Sequence, residues 1–313
     1  MVKPPKTPRY SLDSFPSSSP FFQTLFLFSS QALIFNKTFP ETISYTVSPE
    51  SSRRAFLRAS SMIEVLSAFH QSKYVVGDFE QRGGVMICAP PGALKSTIIK
   101  LSLEDYPDAL LLSDLNVNTL TQLKNSLIDG RYNTLGFGEF EKLYKRNPAT
   151  AANIEAHIQA LVEEGFSRAS FEDQRLPTFA ARCAVVGGIT PSCYAKRFNG
   201  WLESGFGRRF MFCSYTLANP DAIMNAIERW KHISFGKVIL TAPGNKKIPY
   251  SIEQNEHRMI KRAISNQPTH EGPFIMCKKI LCVLKWRHNR KKAMDIFLDF
   301  AECLESKGAA LEI

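Results

Sequence analysis

Residues 84–101 read Gly84-Val-Met-Ile-Cys-Ala-Pro-Pro-Gly-Ala-Leu-Lys-Ser-Thr-Ile-Ile-Lys-Leu101. Val85 to Cys88 is a short apolar run of the kind that forms a buried strand. A Pro/Gly turn comes next, and Lys95-Ser96-Thr97 then opens a helical apolar pattern. Strand, glycine-bearing turn, Lys-Ser/Thr and helix, in that order, make a phosphate-binding loop. A triphosphate is densely anionic, and the amide N–H groups of a helix N-terminus offer partial positive charge and unpaired donors. A lysine adds a point charge at the outer phosphates and a hydroxyl holds magnesium. Against the full pattern G-x-x-x-x-G-K-[ST], Ala89 stands at the first glycine position and Leu94 at the second, with Gly92 inside the loop. Leu94 places a side chain where the backbone usually approaches phosphate.

The rest of the chain must supply what such a loop needs. At 313 residues and 44% apolar content it has room for one large or two modest domains and a proper core. The formal charge of +10 suits an acidic partner such as nucleic acid or an anionic surface. Seven cysteines, an odd number without a C-x-x-C pair, argue for a reducing intracellular setting and against a disulfide framework or zinc site. No apolar run reaches membrane-spanning length, so a cytoplasmic location without a membrane partner is expected.

Residues 1–60, rich in Ser, Pro and Phe, do not resemble the rest of the chain. The stretch can be read as a signal or transit peptide; a signal peptide conflicts with a triphosphate site, because a secreted protein meets little ATP, and disorder or an extension preceding a true start near Met62 is preferred to targeting. An amphipathic helix is expected over Phe56–His70, with Leu57, Ile63, Leu66 and Phe69 as its apolar positions.

Beyond the loop helix, the pattern predicts strands at Ala109–Ser113, Tyr132–Gly138, Arg182–Gly187 and Phe210–Tyr215. Helical patterns fall at Thr119–Ile128 and at 149–165, the latter capped by Thr150. Alternation of this kind implies an α/β fold with a largely parallel five-stranded sheet, whose carboxyl edge gathers the ligand loops. The division expected is an N-terminal extension 1–60, a core 61–218 and a mostly helical C-terminal region 219–313. In that last region the pattern predicts helices at Pro220–Lys231, 250–265 and 274–306, and a short strand at Val238–Thr241.

The nucleotide site is then expected to comprise Ala89, Pro90, Pro91, Gly92, Ala93, Leu94, Lys95, Ser96 and Thr97, with Lys95 on the β- and γ-phosphates and Ser96 on Mg²⁺. The strand closing at Gly138 should end in an acidic pair. Only the second position, Glu139, is acidic, which makes Glu139 the candidate base, with Glu141 or Asp114 completing the metal contacts. Thr190, at a strand end, is placed to feel the γ-phosphate or to cap the helix after Pro191. Arg208 and Arg209 come after a glycine-rich turn and are candidates to stabilise transition-state charge, in their own subunit or a neighbour's. The run containing Lys285, Trp286, Arg287, Arg290, Lys291 and Lys292 is the most basic in the chain, read either as a nucleic-acid contact or as a solvated helix face.

The order Ala-Pro-Pro-Gly-Ala-Leu-Lys-Ser-Thr, a strand closing on Glu139, Val-Val-Gly-Gly-Ile-Thr-Pro, then Ser-Gly-Phe-Gly-Arg-Arg-Phe resembles P-loop ATPases of the RecA/AAA+ kind. It is closest to the helicase- or primase-associated ATPases of phages and mobile elements, over about residues 80–218. The resemblance implies ATP and Mg²⁺, ring-shaped or filamentous homo-oligomers, and work on DNA in replication or mobilisation. It also implies that Thr190 matches a first sensor and Gly-Arg-Arg-Phe an arginine-finger or sensor segment. The expected reaction is attack on the γ-phosphate by a water activated by Glu139. A nucleotide or small-molecule kinase and a non-catalytic nucleotide-sensing scaffold are the alternatives. They differ in their need for an acceptor and in turnover.

Overall fold

A computed structural model of the protein describes residues 49–76, 82–113, 117–165, 182–216, 223–225 and 247–305. Its centre is a five-stranded sheet: β1 (Gly84–Cys88), β2 (Ala109–Leu112), β3 (Thr134–Phe137), β4 (Ala184–Ile189) and β5 (Phe210–Ser214). The order across the sheet is β2-β3-β4-β1-β5 and every pairing is parallel. The expected α/β class therefore holds, and the expected strands lie within two or three residues of the observed ones. β1 and β4 are buried at every position. A parallel strand covered on both faces needs such an unbroken apolar run.

Side-chain alternation along the strands feeds two cores. Val85, Ile87, Met211 and Cys213 point to one face; Met86, Cys88, Phe210 and Phe212 point to the other. The first face packs against α1 (Pro49–Gln71), α2 (Lys95–Leu103), α7 (Glu271–Arg287) and α8 (Arg290–Glu305). The second is covered by α3 (Val117–Ile128), α4 (Pro148–Glu163) and α5 (Pro191–Glu203). One further helix, α6 (Gln254–Ala263), packs beside α7 and α8. No helix among the described residues is long and apolar enough to cross a membrane.

Several boundaries depart from expectation. α1 begins at Pro49 rather than Phe56. Ala59 is buried, and Arg58 donates to Glu302 at 2.6 Å. Ala59 and Arg58 thus tie the helix to the core, and the expected break at 60 falls inside α1. Ile63, Leu66 and Phe69 are buried as predicted, each side chain contributing roughly 1.5–3 kcal/mol. α4 is capped by Asn147, whose side chain accepts from Ala149 N, not by Thr150. The single helix expected over 274–306 is two. α7 stops at Arg287, and Asn289 restarts the chain by accepting from Lys292 N at 2.9 Å, a local side-chain bond that competes with helix continuation. Of the expected Pro220–Lys231 helix only 223–225 are described, and they are helical. Residues 1–48 and the strand expected at Val238–Thr241 lie outside the described residues.

The amino edge of the sheet carries a buried polar knot. His70 Nδ1 shares a hydrogen bond with Thr134 Oγ1 at 2.8 Å, and Nε2 lies 3.1 Å from Asp108 Oδ1. Lys73 also pairs with Asp108. Burial, reinforced by the charges of Lys73, Arg287 and Arg82, pushes the His70 imidazole down from 6.5 to about 2. The folded value lies below the unfolded one, so the unfolded chain takes up the proton first. The stability contributed by neutral His70 is complete above 6.5 and is lost as pH falls from 6.5 towards about 2. At about pH 5.5 the loss is on the order of 1 kcal/mol. Urea unfolding at neutral pH and at about pH 5.5 checks this. The wild type should lose about that much more than His70→Asn, and equal losses would contradict it.

Candidate nucleotide site

In a parallel sheet, ligands collect where adjacent strands send their connections to opposite faces. β1 connects through α2 on one face and β4 through α5 on the other, and these two strands are neighbours. The crevice therefore opens at the carboxyl ends of β1 and β4, the point reached by residues 89–97 and Thr190. Ala89 N donates to Ile189 O at 3.1 Å and ties the two strand ends together.

The loop turns at Gly92, φ +77°, and enters α2 through Leu94, which adopts the left-handed conformation at φ 58°, ψ 19°. For a residue with a Cβ this costs about 1–2 kcal/mol. The leucine side chain packs against the core below. Position 94 thus keeps the backbone that a glycine would take there. Ala93 N closes the turn on Pro90 O at 3.2 Å, and Leu94 O accepts from Ile98 N at 2.9 Å. Among the described residues, the amide N–H groups of Leu94, Lys95, Ser96 and Thr97 have no protein acceptor outside their own helix. Four donors at a helix start are the unsatisfied set that an anion completes.

Lys95 folds back over the loop. Its ammonium donates to Ala89 O at 2.7 Å and Pro90 O at 2.8 Å. Burial lowers its pKa, against the opposing pull of Glu141, Cys88 and Glu139. Cys88 lies at the floor, where burial pushes its thiol up to about 12 despite Lys95. Cys193, in the first turn of α5, is likewise raised to about 11, by burial and then by Glu141. Neither is a nucleophile at neutral pH.

Ser96 Oγ donates to Gly138 O at 3.1 Å, which brings the end of β3 against α2. A Cβ at Gly138 would stand 2.9 Å from Ser96 Oγ, and one at Gly188 would stand 2.4 Å from Gly138 O. The strand end at Gly138 is thus pressed closely on the Ser96 side chain, at the position where the sequence pattern places the first acid of the expected pair. Glu139 comes next, at the surface, with its carboxylate 3.1 Å from Lys142 Nζ and its side chain 52% exposed. Glu141 turns the other way. Its Oε2 accepts from Thr190 N at 3.0 Å and from Thr190 Oγ1 at 2.5 Å. Thr190 also caps α5, accepting from Cys193 N at 3.3 Å. It thus fills the capping role and at the same time holds a carboxylate at the crevice.

The loop, Glu139, Glu141 and Thr190 share the carboxyl edge. Asp114 lies outside the described residues, and no cluster of three or more His, Cys, Asp or Glu side chains fit for a metal occurs among the described residues. Arg208 and Arg209 are elsewhere. They sit in a short turn, Gly207–Arg209, that leads into β5. Because Gly84 pairs with Phe210 and Cys88 with Ser214, both arginines are at the amino edge. They are separated from the loop by the strand length, about 13 Å. The expectation that they act on phosphate in their own chain is corrected by this polarity. Arg209 is bound to Glu163 and to Gly205 O at 2.7 Å; Arg208 lies 3.9 Å from the same Glu163 carboxylate and is 59% exposed.

The basic run near 285–292 is largely spent internally. Lys285 Nζ lies 2.9 Å from Glu256, a carboxylate that also closes the N-terminus of α6. Arg290 pairs with Glu253. Arg287 is buried against α1. Trp286, Lys291 and Lys292 are exposed.

A neighbour of the loop that the sequence reading did not single out is Tyr215, just past β5, whose hydroxyl donates to Ala93 O at 2.8 Å. Its position at a strand's carboxyl end was the available signal. No family model matches the chain, and no curated protein matches it in sequence.

Proposed function

We propose that the chain binds a nucleoside triphosphate, ATP by resemblance, at residues 89–97 and hydrolyses it. The observation that carries this reading is the convergence of four open amide donors and the Lys95 ammonium at the switch point of a parallel sheet. The Lys95 bonds to Ala89 O and Pro90 O are of a kind that incoming phosphate oxygens replace with charge-assisted ones. Glu139 is the exposed carboxylate beside the crevice and the base for the attacking water. Ser96 and Glu139 would hold Mg²⁺, which neutralises charge across the outer phosphates. Glu141, bound by Thr190, keeps the crevice wall negative and fixed.

Arg208 belongs to this scheme as a residue offered to a neighbouring copy. Its exposed guanidinium at the opposite edge suits head-to-tail assembly, in which one subunit's amino edge faces the next subunit's loop. Coupling to DNA rests on the family resemblance, with Trp286, Lys291 and Lys292 as the remaining outward candidates. Binding without turnover is the second reading. It is favoured by the Glu139–Lys142 ion pair and by Leu94 at the loop's exit.

The test is phosphate release by the full chain with ATP and Mg²⁺, with and without single-stranded DNA, alongside Lys95→Ala. Release lost in the variant supports hydrolysis, and stimulation by DNA supports the motor or loader form. Tight binding without release in either condition favours the sensor. Release unchanged by Lys95→Ala sinks the proposal.

A further inference from the structure

We infer that Tyr215 is a positioning residue of the phosphate loop, aiming the Leu94 amide N–H at the bound phosphates; this rests on the triphosphate reading above. Tyr215 comes directly after β5 and is buried at 5% exposure. Its backbone is fixed by Tyr215 N donating to Cys88 O at 3.4 Å, and its hydroxyl donates to Ala93 O at 2.8 Å. The peptide between Ala93 and Leu94 is planar and trans, so its C=O and N–H point in opposite directions. Holding the Ala93 carbonyl inward, toward β5, turns the Leu94 N–H outward, into the mouth of the loop. That amide has no protein acceptor among the described residues. Burial also raises the Tyr215 hydroxyl well above its ordinary pKa, so it remains a donor at every working pH.

The need for such a tether comes from Leu94. A glycine at that position reaches the left-handed conformation without strain, whereas leucine is held there against its preference. The loop itself supplies one backbone bond, Ala93 N to Pro90 O, and the Lys95 ammonium bonds are the ones a phosphate displaces. When a ligand draws Lys95 away, the Tyr215 bond remains to hold the loop's exit in its binding shape.

The experiment is equilibrium titration of the full chain with MgATP and, separately, with AMP, for wild type and Tyr215→Phe. The phenylalanine ring keeps the packing and removes only the hydroxyl. Loss of one donor aim should weaken MgATP by roughly 10-fold and leave AMP nearly unchanged, so the ratio of the two affinities falls. A variant that is partly unfolded loses apparent affinity for both ligands by the same factor, and the ratio cancels that loss. A ratio equal to wild type overturns the inference. Absence of MgATP binding by the wild type would instead overturn the triphosphate reading and this inference with it.

Discussion

Glu139→Gln is expected to lower ATP turnover by about 10²–10⁴-fold while leaving MgATP affinity within a few-fold of wild type. The carboxylate lies just past β3, 52% exposed, and is held only at 3.1 Å by Lys142. Glutamine is nearly isosteric and keeps an amide oxygen that can still face Mg²⁺, so the surface and the metal contact are largely preserved while the proton acceptor is lost. Glu141 gives the contrasting case. Its Oε2 is occupied by the Thr190 amide and hydroxyl, so Glu141→Gln disturbs how α5 meets the crevice and should raise KM more than it lowers kcat. Phosphate-release kinetics on both variants separates the roles. If Glu141→Gln abolished turnover while Glu139→Gln left it intact, the assignment of the base would be reversed.

The second large effect is on stability. Arg287→Leu is expected to destabilise the protein by about 3–5 kcal/mol, read as a lower urea midpoint with an unchanged slope. The guanidinium is 1% exposed and lies 3.5 Å from Glu64. Its nitrogens donate to Gln71 Oε1 at 2.9 and 3.1 Å, to Ser67 Oγ at 3.0 Å, to Tyr106 OH at 3.1 Å and to Glu64 O at 3.3 Å. Removing it leaves Glu64 without its guanidinium partner and withdraws donors from four acceptors, three of them on α1. Lys291→Ala, on the exposed side, should change stability by less than about 0.5 kcal/mol. A cost for Arg287→Leu below about 1 kcal/mol would show that the buried network contributes little beyond packing.

Arg287 also marks the limit of what the sequence disclosed. A run of cations beside a tryptophan looks the same whether it faces solvent or is folded inward. Most of the acceptors that bury Arg287 come from residues 64–71, more than two hundred positions away. By contrast, the strand–turn–helix at 84–103 was legible because each part has a local cause: apolar burial for β1, Gly92 for the turn, apolar spacing for α2. Strand existence was legible for the same reason, but strand order was not. No local pattern says that β4 lies between β1 and β3, and that order is what gathers Thr190, Gly138 and Lys95. The arginine pair was misplaced within its own chain through strand polarity. Residues that precede a strand stand at the opposite edge from those that come after its parallel neighbour, so Arg208 and Arg209 cannot join the loop after β1. How closely Gly138, where the sequence pattern lacks an acid, is pressed on the Ser96 side chain shows only in the fold.

Everything proposed for the crevice depends on Lys95 and the amides around it meeting phosphate. The direct measurement is calorimetric titration of the full chain with MgATP, compared with Lys95→Ala shown to unfold at the same temperature. Saturable binding by the wild type is expected, with a loss of about 10- to 100-fold in the variant, the size of a charge-assisted contact removed. Equal affinity in the two proteins, or no binding in either, would contradict the phosphate-loop reading.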